Sequence, residues 1–141
     1  MSGAKARARV GIIVPTYNYG RFLDDCLSSV HQQGYSDYEV LIIDNASEDD
    51  TETIARRWTA LDARFRYVRN ETNLGPRESV LKAYELIESE FALILCADDC
   101  LAPAFLEQTV EALDRHPECT FAYTGWQLFV DRQGQENHGA R

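Results

Sequence analysis

No apolar run in this 141-residue chain exceeds about seven residues, whereas a bilayer-spanning helix needs about 20. No segment is therefore expected to cross a membrane, and no apolar stretch follows the basic start as a secretory leader would require. Basic residues are scarce: 14 Lys and Arg stand against 23 Asp and Glu, a formal net charge of −9. Three of the basic residues, Lys5, Arg7 and Arg9, sit in the first nine positions. General binding to DNA or RNA, which relies on basic patches neutralising phosphates, is not expected. A nucleotide ligand stays open, because a divalent cation can reconcile acidic side chains with a diphosphate. The four cysteines, Cys26, Cys96, Cys100 and Cys119, show no CxxC pairing. They read more simply as buried thiols of a reducing compartment than as a zinc site. A set built on Cys96, Cys100 and His116 lacks a fourth ligand. There is no GxGxxG and no GxxxxGK[ST], so neither a dinucleotide fold nor a phosphate-binding P-loop is expected.

What is present is an ordinary globular composition, 45% hydrophobic and 26% charged, in a length suited to one domain. The expected organisation is a basic tail over 1–9, a folded domain over 10–134 and a polar tail over 135–141. Within the domain, short β-rich runs begin near Val10, Tyr38, Phe65, Phe91 and Cys119, about 26–28 residues apart. That spacing accommodates a strand, a crossover helix and two short loops. The intervening segments repeat apolar residues at helical period. Phe22, Leu23, Cys26, Leu27 and Val30 share a face in the first, with Gly34 as its expected C-cap. The acidic stretch Ser47–Asp50 suits the start of the second, which carries Ile54, Ala55 and Trp58. Val80, Leu81, Tyr84 and Ile87 stripe the third, and Pro103 opens the fourth. The runs Val10–Val14 and Phe91–Leu95 are apolar on both faces, as central parallel strands are. The fold class is therefore α/β, a three-layer sandwich with a mostly parallel sheet. Phe121–Val130 followed by Asp131–Gly134 reads as a further strand and a turn.

Ligands of open α/β sheets bind outside the carboxyl ends of the strands, and three unusual polar clusters fall there. They are Pro15-Thr16-Tyr17-Asn18-Tyr19-Gly20, Asp44-Asn45-Ala46-Ser47-Glu48-Asp49 and Cys96-Ala97-Asp98-Asp99. Adjacent carboxylates such as Asp98 and Asp99 repel unless a cation lies beside them. Otherwise one of them caps the helix entered at Pro103. Asp44 could accept a base N–H or cap the next helix. Tyr17 could stack on a base or pack on the first helix, and Asn70, Asn73 and Gly75 form a turn. His31 and His116 fall near helix C-termini, where a dipole contact is the simpler role.

Taken in order, Val14-Pro15-Thr16-Tyr17-Asn18, Ile43-Asp44-Asn45-Ala46-Ser47-Glu48-Asp49-Asp50-Thr51, Asn73-Leu74-Gly75 and Ala97-Asp98-Asp99 resemble the family 2 glycosyltransferases of GT-A fold. The resemblance runs from about Val10 to Gly134. It implies inverting, metal-dependent transfer of a sugar from a nucleotide-diphosphate donor, UDP-linked in much of the family, to a glycan, lipid or protein acceptor. It implies a donor site made by Pro15, Thr16, Tyr17, Asn18, Asp44, Asn45, Ser47, Asn73, Gly75, Arg77 and Asp98. Asp44 would bond the base, Asp98 would approach the ribose or sugar, and Asp99 with Asp98 would hold Mn²⁺ or Mg²⁺ on the diphosphate.

Two positions depart from the family's pattern. Cys96 stands where many relatives carry Asp, which leaves a DXD-like remnant. Val80-Leu81 stands where many carry Arg-Asn, with Arg77 as the expected substitute cation. Inverting displacement needs a base to activate the acceptor hydroxyl, and no residue of this chain is identified as that base. The chain is thus expected to be the donor-binding half of a transferase, cytoplasmic like the sugar nucleotides. The alternative is a non-catalytic nucleotide-sugar-binding or scaffold module on the same fold. Homo-oligomers are expected through exposed sheet surface.

Overall fold

The computed structural model describes residues 7–129. Its four strands, β1 (Val10–Thr16), β2 (Tyr38–Asp44), β3 (Phe65–Arg69) and β4 (Phe91–Ile94), are all parallel and lie in the order β3-β2-β1-β4. Four helices alternate with them: α1 (Gly20–His31), α2 (Thr51–Leu61), α3 (Pro76–Leu86) and α4 (Phe105–Arg115). Among the described residues no helix is long and apolar enough to cross a membrane.

Alternation along the two central strands sorts the core into two layers. Val10, Ile12 and Val14 of β1 and Tyr38, Val40 and Ile42 of β2 face one side. There they pack with Leu23, Cys26, Leu27 and Val30 of α1, Ala55 and Trp58 of α2, and Leu106 and Val110 of α4. Ile13, Leu41 and Ile43 face the other side and meet Ala83 of α3, with Val68 and Ile87 beside them. Connection handedness explains the split. The chain steps outward from β1 to β2 to β3 through α1 and α2, then returns across the sheet to β4 through α3. Right-handed crossovers put a helix on opposite faces for opposite directions of travel. Strand order therefore reverses between β1 and β4, and the carboxyl ends of those two strands bound the crevice where an open α/β sheet takes its ligand.

Several expectations are corrected. β4 is the edge of the described sheet rather than a central strand: Phe91 and Leu93 are half-buried, while Ala92 and Ile94 are exposed. The run from Phe121 to Phe129 forms no strand and is exposed throughout. β propensity becomes a strand only with a ladder partner and a covered face, and this run has neither among the described residues. The Asp131–Gly134 turn lies outside them. Gly34 does not cap α1, whose C-cap is Gln32: the Gln32 N–H bonds the Ser28 carbonyl and the Gln33 N–H the Val30 carbonyl. Pro103 precedes α4 instead of opening it. The chain first passes through Ala104 at φ 61°, and the Leu106 N–H is then capped by Gln33 Oε1 at 3.1 Å. On α3 the buried residues are Ser79 and Ala83, whereas Leu81 and Tyr84 are each 44% exposed. Small residues let α3 approach the sheet closely, and that fixes its rotation against the apolar stripe.

Candidate functional site

Parallel register brings the polar loops to one rim. Thr16 lies opposite Asp44, and Asp44 opposite Arg69. The ladder continues past the strands through Asn45 N–H to Thr16 O (2.9 Å), Asn70 N–H to Asp44 O (2.8 Å) and Leu95 N–H to Ile13 O (2.9 Å). At this rim a cavity of about 370 Å³ opens between the end of β1 (Pro15, Thr16, Tyr17, Tyr19), Asn45, the Asn73–Ser79 turn and the segment after β4 (Cys96, Ala97, Asp98). Its size falls in the range of small-molecule sites, and it sits at the reversal in strand order.

Six of the expected donor residues line it: Pro15, Thr16, Tyr17, Asn45, Asn73 and Asp98. Tyr17 leaves 43% of its surface exposed, so its ring is available to a ligand. Thr16 is 5% exposed, and its Oγ1 has no hydrogen-bond partner. A buried hydroxyl without a partner is costly, and the residue that carries it is part of the cavity wall.

The remaining expected residues brace the rim. Asn18, at φ 55°, receives the Glu48 N–H on Oδ1 (2.8 Å) and donates its own N–H to Ser47 Oγ (2.9 Å), which ties the first loop to the second. Asp49 extends that clamp: its carboxylate accepts the N–H of Gly20 at 2.8 Å and the hydroxyl of Thr51 at 2.6 Å, joining the starts of α1 and α2. Burial pushes its carboxyl up, but these bonds outweigh that and hold it below the usual range. Asp44 is fully buried and lies outside the cavity wall. Its Oδ1 accepts the Ser47 N–H (2.9 Å); its Oδ2 accepts the Tyr67 hydroxyl (2.6 Å) and Arg69 Nη1 (2.9 Å). Burial, and then Asp44, push the Tyr67 phenol well up. Gly75 turns the chain into α3 at φ 82°, its N–H on Asn73 Oδ1 at 2.9 Å. Arg77 is exposed, paired with Glu78 and outside the cavity wall.

An amide network supports the floor. Asn45 Nδ2 donates to Asn73 Oδ1 (2.7 Å), and Asn45 Oδ1 accepts from Leu74 N–H (2.9 Å) and Asn70 Nδ2 (3.1 Å). Asn70 Nδ2 also donates to Ser79 Oγ (3.1 Å), and its Oδ1 accepts from Lys82 Nζ (2.8 Å). Tyr19, Pro76, Ser79, Cys96 and Ala97 line the cavity without having been expected there. Tyr19 and Cys96 fall inside two of the clusters read from the sequence; Ser79 had no signal beyond its place one turn into α3.

One ligand atom each of Cys96, Asp98 and Asp99 lies within 4.8 Å of the other two, the one such group of His, Cys, Asp or Glu among the described residues. Burial pushes both the Cys96 thiol and the Asp99 carboxyl up. The thiol is raised further by Asp99 and Asp98, the carboxyl by Asp98. Charge concentrated this way favours a cation, and carboxylate oxygens with a thiol are a sound donor set for a divalent metal. Neither aspartate caps α4, which starts six residues beyond Asp99 and takes its side-chain cap from Gln33. His116 pairs with Glu118 rather than joining Cys96 and Cys100.

Parallel strands with a crevice at this reversal are the arrangement that the resemblance implied, and solved structures share it. The crystal structure of Staphylococcus aureus TarS 1-349 superposes with a TM-score of 0.73 at 28% identity, over 77% of this chain and 33% of that one. The same TarS fragment in complex with UDP and with UDP-GlcNAc scores 0.72 in each case. The mannosyltransferase PcManGT of Pyrobaculum calidifontis, solved with GDP-Man and Mn²⁺, scores 0.70 at 29% identity, over 77% of this chain and 33% of its own. Residues 11–138 match the profile of Glycosyl transferase family 2, and the chain belongs to that family. TuaG of Bacillus subtilis (strain 168), named as a glycosyltransferase, is 30% identical over 121 residues, 86% of this chain and 48% of TuaG. The chain spans about half the length of the curated relatives it matches first.

Proposed function

We propose that this chain binds the donor of an inverting sugar transfer, a nucleoside diphosphate sugar with UDP as the favoured nucleotide, with the aid of a divalent cation. The observation that carries this reading is the cavity at the strand-order reversal, walled by Thr16, Tyr17 and Asn45 on one side and by Cys96 and Asp98 on the other. Complexes of its structural neighbours with UDP, UDP-GlcNAc and GDP-Man support it.

In this reading Tyr17 offers its ring to the base, and Thr16 Oγ1 finds in the ligand the partner it lacks in the protein. Asn45 and Asn73, locked to each other, present a fixed polar floor. Asp44 serves the base side by holding Ser47, Tyr67 and Arg69 in place, with Asn18, Ser47 and Gly75 setting the loop positions. Asp98 lies toward the ribose or sugar, and Asp98 with Asp99 would hold Mn²⁺ or Mg²⁺. When bound, that ion neutralises the charge that grows on the departing diphosphate. The acceptor, a glycan, lipid or protein, and the cytoplasmic setting where sugar nucleotides are made complete the proposal.

Calorimetric titration with UDP and GDP, with and without Mn²⁺, tests the reading. Binding that strengthens with Mn²⁺ is expected, and Asp99→Asn is expected to remove the metal-dependent part. No binding of either nucleotide under any condition would overturn it.

A second reading, a binding module without turnover, is favoured by one observation: Asp98 is the sole carboxylate lining the cavity among the described residues. Metal-dependent hydrolysis of a UDP-sugar by the chain would count against that second reading.

A further inference from the structure

Cys96 and Asp99 are neighbours for a backbone reason. The Asp99 N–H donates to the Cys96 carbonyl at 2.9 Å, closing a turn that brings residues 96 and 99 together with Asp98 between them. The same carbonyl accepts the Cys26 thiol at 3.6 Å, from a side chain fully buried in α1. The turn is thus held from two directions before any ligand arrives, and its side-chain donors are a sulfur and two carboxylates.

We propose that Cys96 Sγ is itself a ligand of the cation seat, alongside one carboxylate oxygen each from Asp98 and Asp99, and that this sulfur biases the seat toward Zn²⁺ and Co²⁺ over Mg²⁺. The proposal rests on the donor-site reading and deepens it by naming the ion class. A second observation points independently to a ligand: Thr16, 95% buried and with its Oγ1 lacking a partner, is a wall residue of the same cavity as Cys96 and Asp98.

The selectivity follows from ligand chemistry. Thiolates are soft donors that suit zinc and its neighbours in the transition series, whereas Mg²⁺ demands near-octahedral oxygen at about 2.0–2.1 Å. Zinc accepts sulfur at about 2.3 Å and oxygen at about 2.0–2.2 Å. In such a seat three protein donors leave positions for diphosphate oxygens. On binding, the S–H bond breaks, its electron pair goes to the metal, and the proton leaves to solvent. An all-carboxylate seat would lack this preference.

The test uses the full chain with Cys100→Ser and Cys119→Ser, so that Cys96 is the one thiol left that is not fully buried, Cys26 being enclosed behind the turn. Co²⁺ is titrated while sulfur-to-cobalt charge-transfer absorption is followed in the near ultraviolet, and Zn²⁺ and Mg²⁺ affinities are measured by calorimetry. The band is expected in this background and lost on adding Cys96→Ser. Zn²⁺ is expected to bind more tightly than Mg²⁺ by about tenfold or more, the scale on which losing even an outer-shell partner weakens a metal site. Cys96→Asp is expected to shrink that preference and improve Mg²⁺ binding.

No band in the background chain, a band that survives Cys96→Ser, or an unchanged preference in Cys96→Asp would overturn the sulfur ligand. Titration with UDP and Mn²⁺ in parallel separates the two claims. UDP binding without the cobalt band would sink the sulfur ligand and leave the donor site standing. A cobalt band with no nucleoside diphosphate bound by the background chain or by Cys96→Asp would sustain the sulfur ligand and overturn the donor site.

Discussion

Asp62 shows how much a single residue can carry at the end of a helix. It follows α2, and its carboxylate accepts the Arg64 N–H (2.9 Å), the Arg64 guanidinium (2.7 Å to Nη2) and His31 Nδ1 (3.1 Å). The Arg64 side chain is the main cause that holds its carboxyl down at about 2, against the opposing pull of burial. A carboxyl lowered in the folded state contributes stability that is present above its unfolded pKa of about 3.9 and is lost as pH falls toward the folded value. Acid melts should therefore show the wild type losing its advantage over Asp62→Asn between about pH 4 and about pH 2. A gap between the two that stays constant through that window would contradict the assignment.

At the scale of elements, the entry to α3 depends on one backbone conformation. Gly75 sits at φ 82° and ψ 161°, a region essentially closed to residues with a Cβ. Nothing lies within 4 Å of where that Cβ would go, so the whole cost of Gly75→Ala is backbone strain. Chemical denaturation should register a loss of about 1–3 kcal/mol. Because Pro76 and Ser79 follow immediately and line the cavity, weaker nucleotide binding is expected with it.

The starts of α1 and α2 meet just as closely. A Cβ on Gly20 would strike the Asp50 carboxylate and the Thr51 backbone. The two loops that frame the cavity are in this way tied to each other and to the helices behind them.

At the scale of the whole molecule, the sheet has an open side among the described residues. Ala92 and Ile94 of β4 are exposed, and Phe121, Tyr123 and Trp126 stand 73%, 87% and 83% exposed beyond it. Unpaired edge strands and contiguous apolar surface drive association between copies. Sedimentation velocity over a concentration series should show self-association that Ile94→Lys reduces, since a charged side chain blunts an edge. A concentration-independent monomer would refute it. Ile94 lies outside the cavity wall, so nucleotide binding should survive that change.

The residues expected at the strand ends do meet at one rim, and their order along the chain was enough to point to the fold. Strand and helix positions follow from local periodicity: Ile12, Ile13 and Val14 must be covered on both faces, and Leu23, Leu27 and Val30 must share one. Contact across the chain decided the rest. Asn18, Asp44 and Ser47 look in sequence like ligand-binding residues, yet they spend their hydrogen bonds on one another's loops and on Tyr67 and Arg69. Apart from the Ser47 N–H on Asp44, three residues apart, those partners lie 23–30 residues away, beyond any local signal. Ser79 and Ala83 displaced the apolar stripe of α3 because close packing on the sheet outweighed side-chain hydrophobicity. Whether Phe91–Ile94 became a centre or an edge depended on a neighbouring strand, which no property of its own residues could supply. Cys96 stands beside the acidic pair in sequence, but the turn closed from the Asp99 N–H to the Cys96 carbonyl is what brings the three ligand atoms within 4.8 Å of one another. Periodicity is a property of neighbours along the chain, whereas a site is a property of neighbours in space.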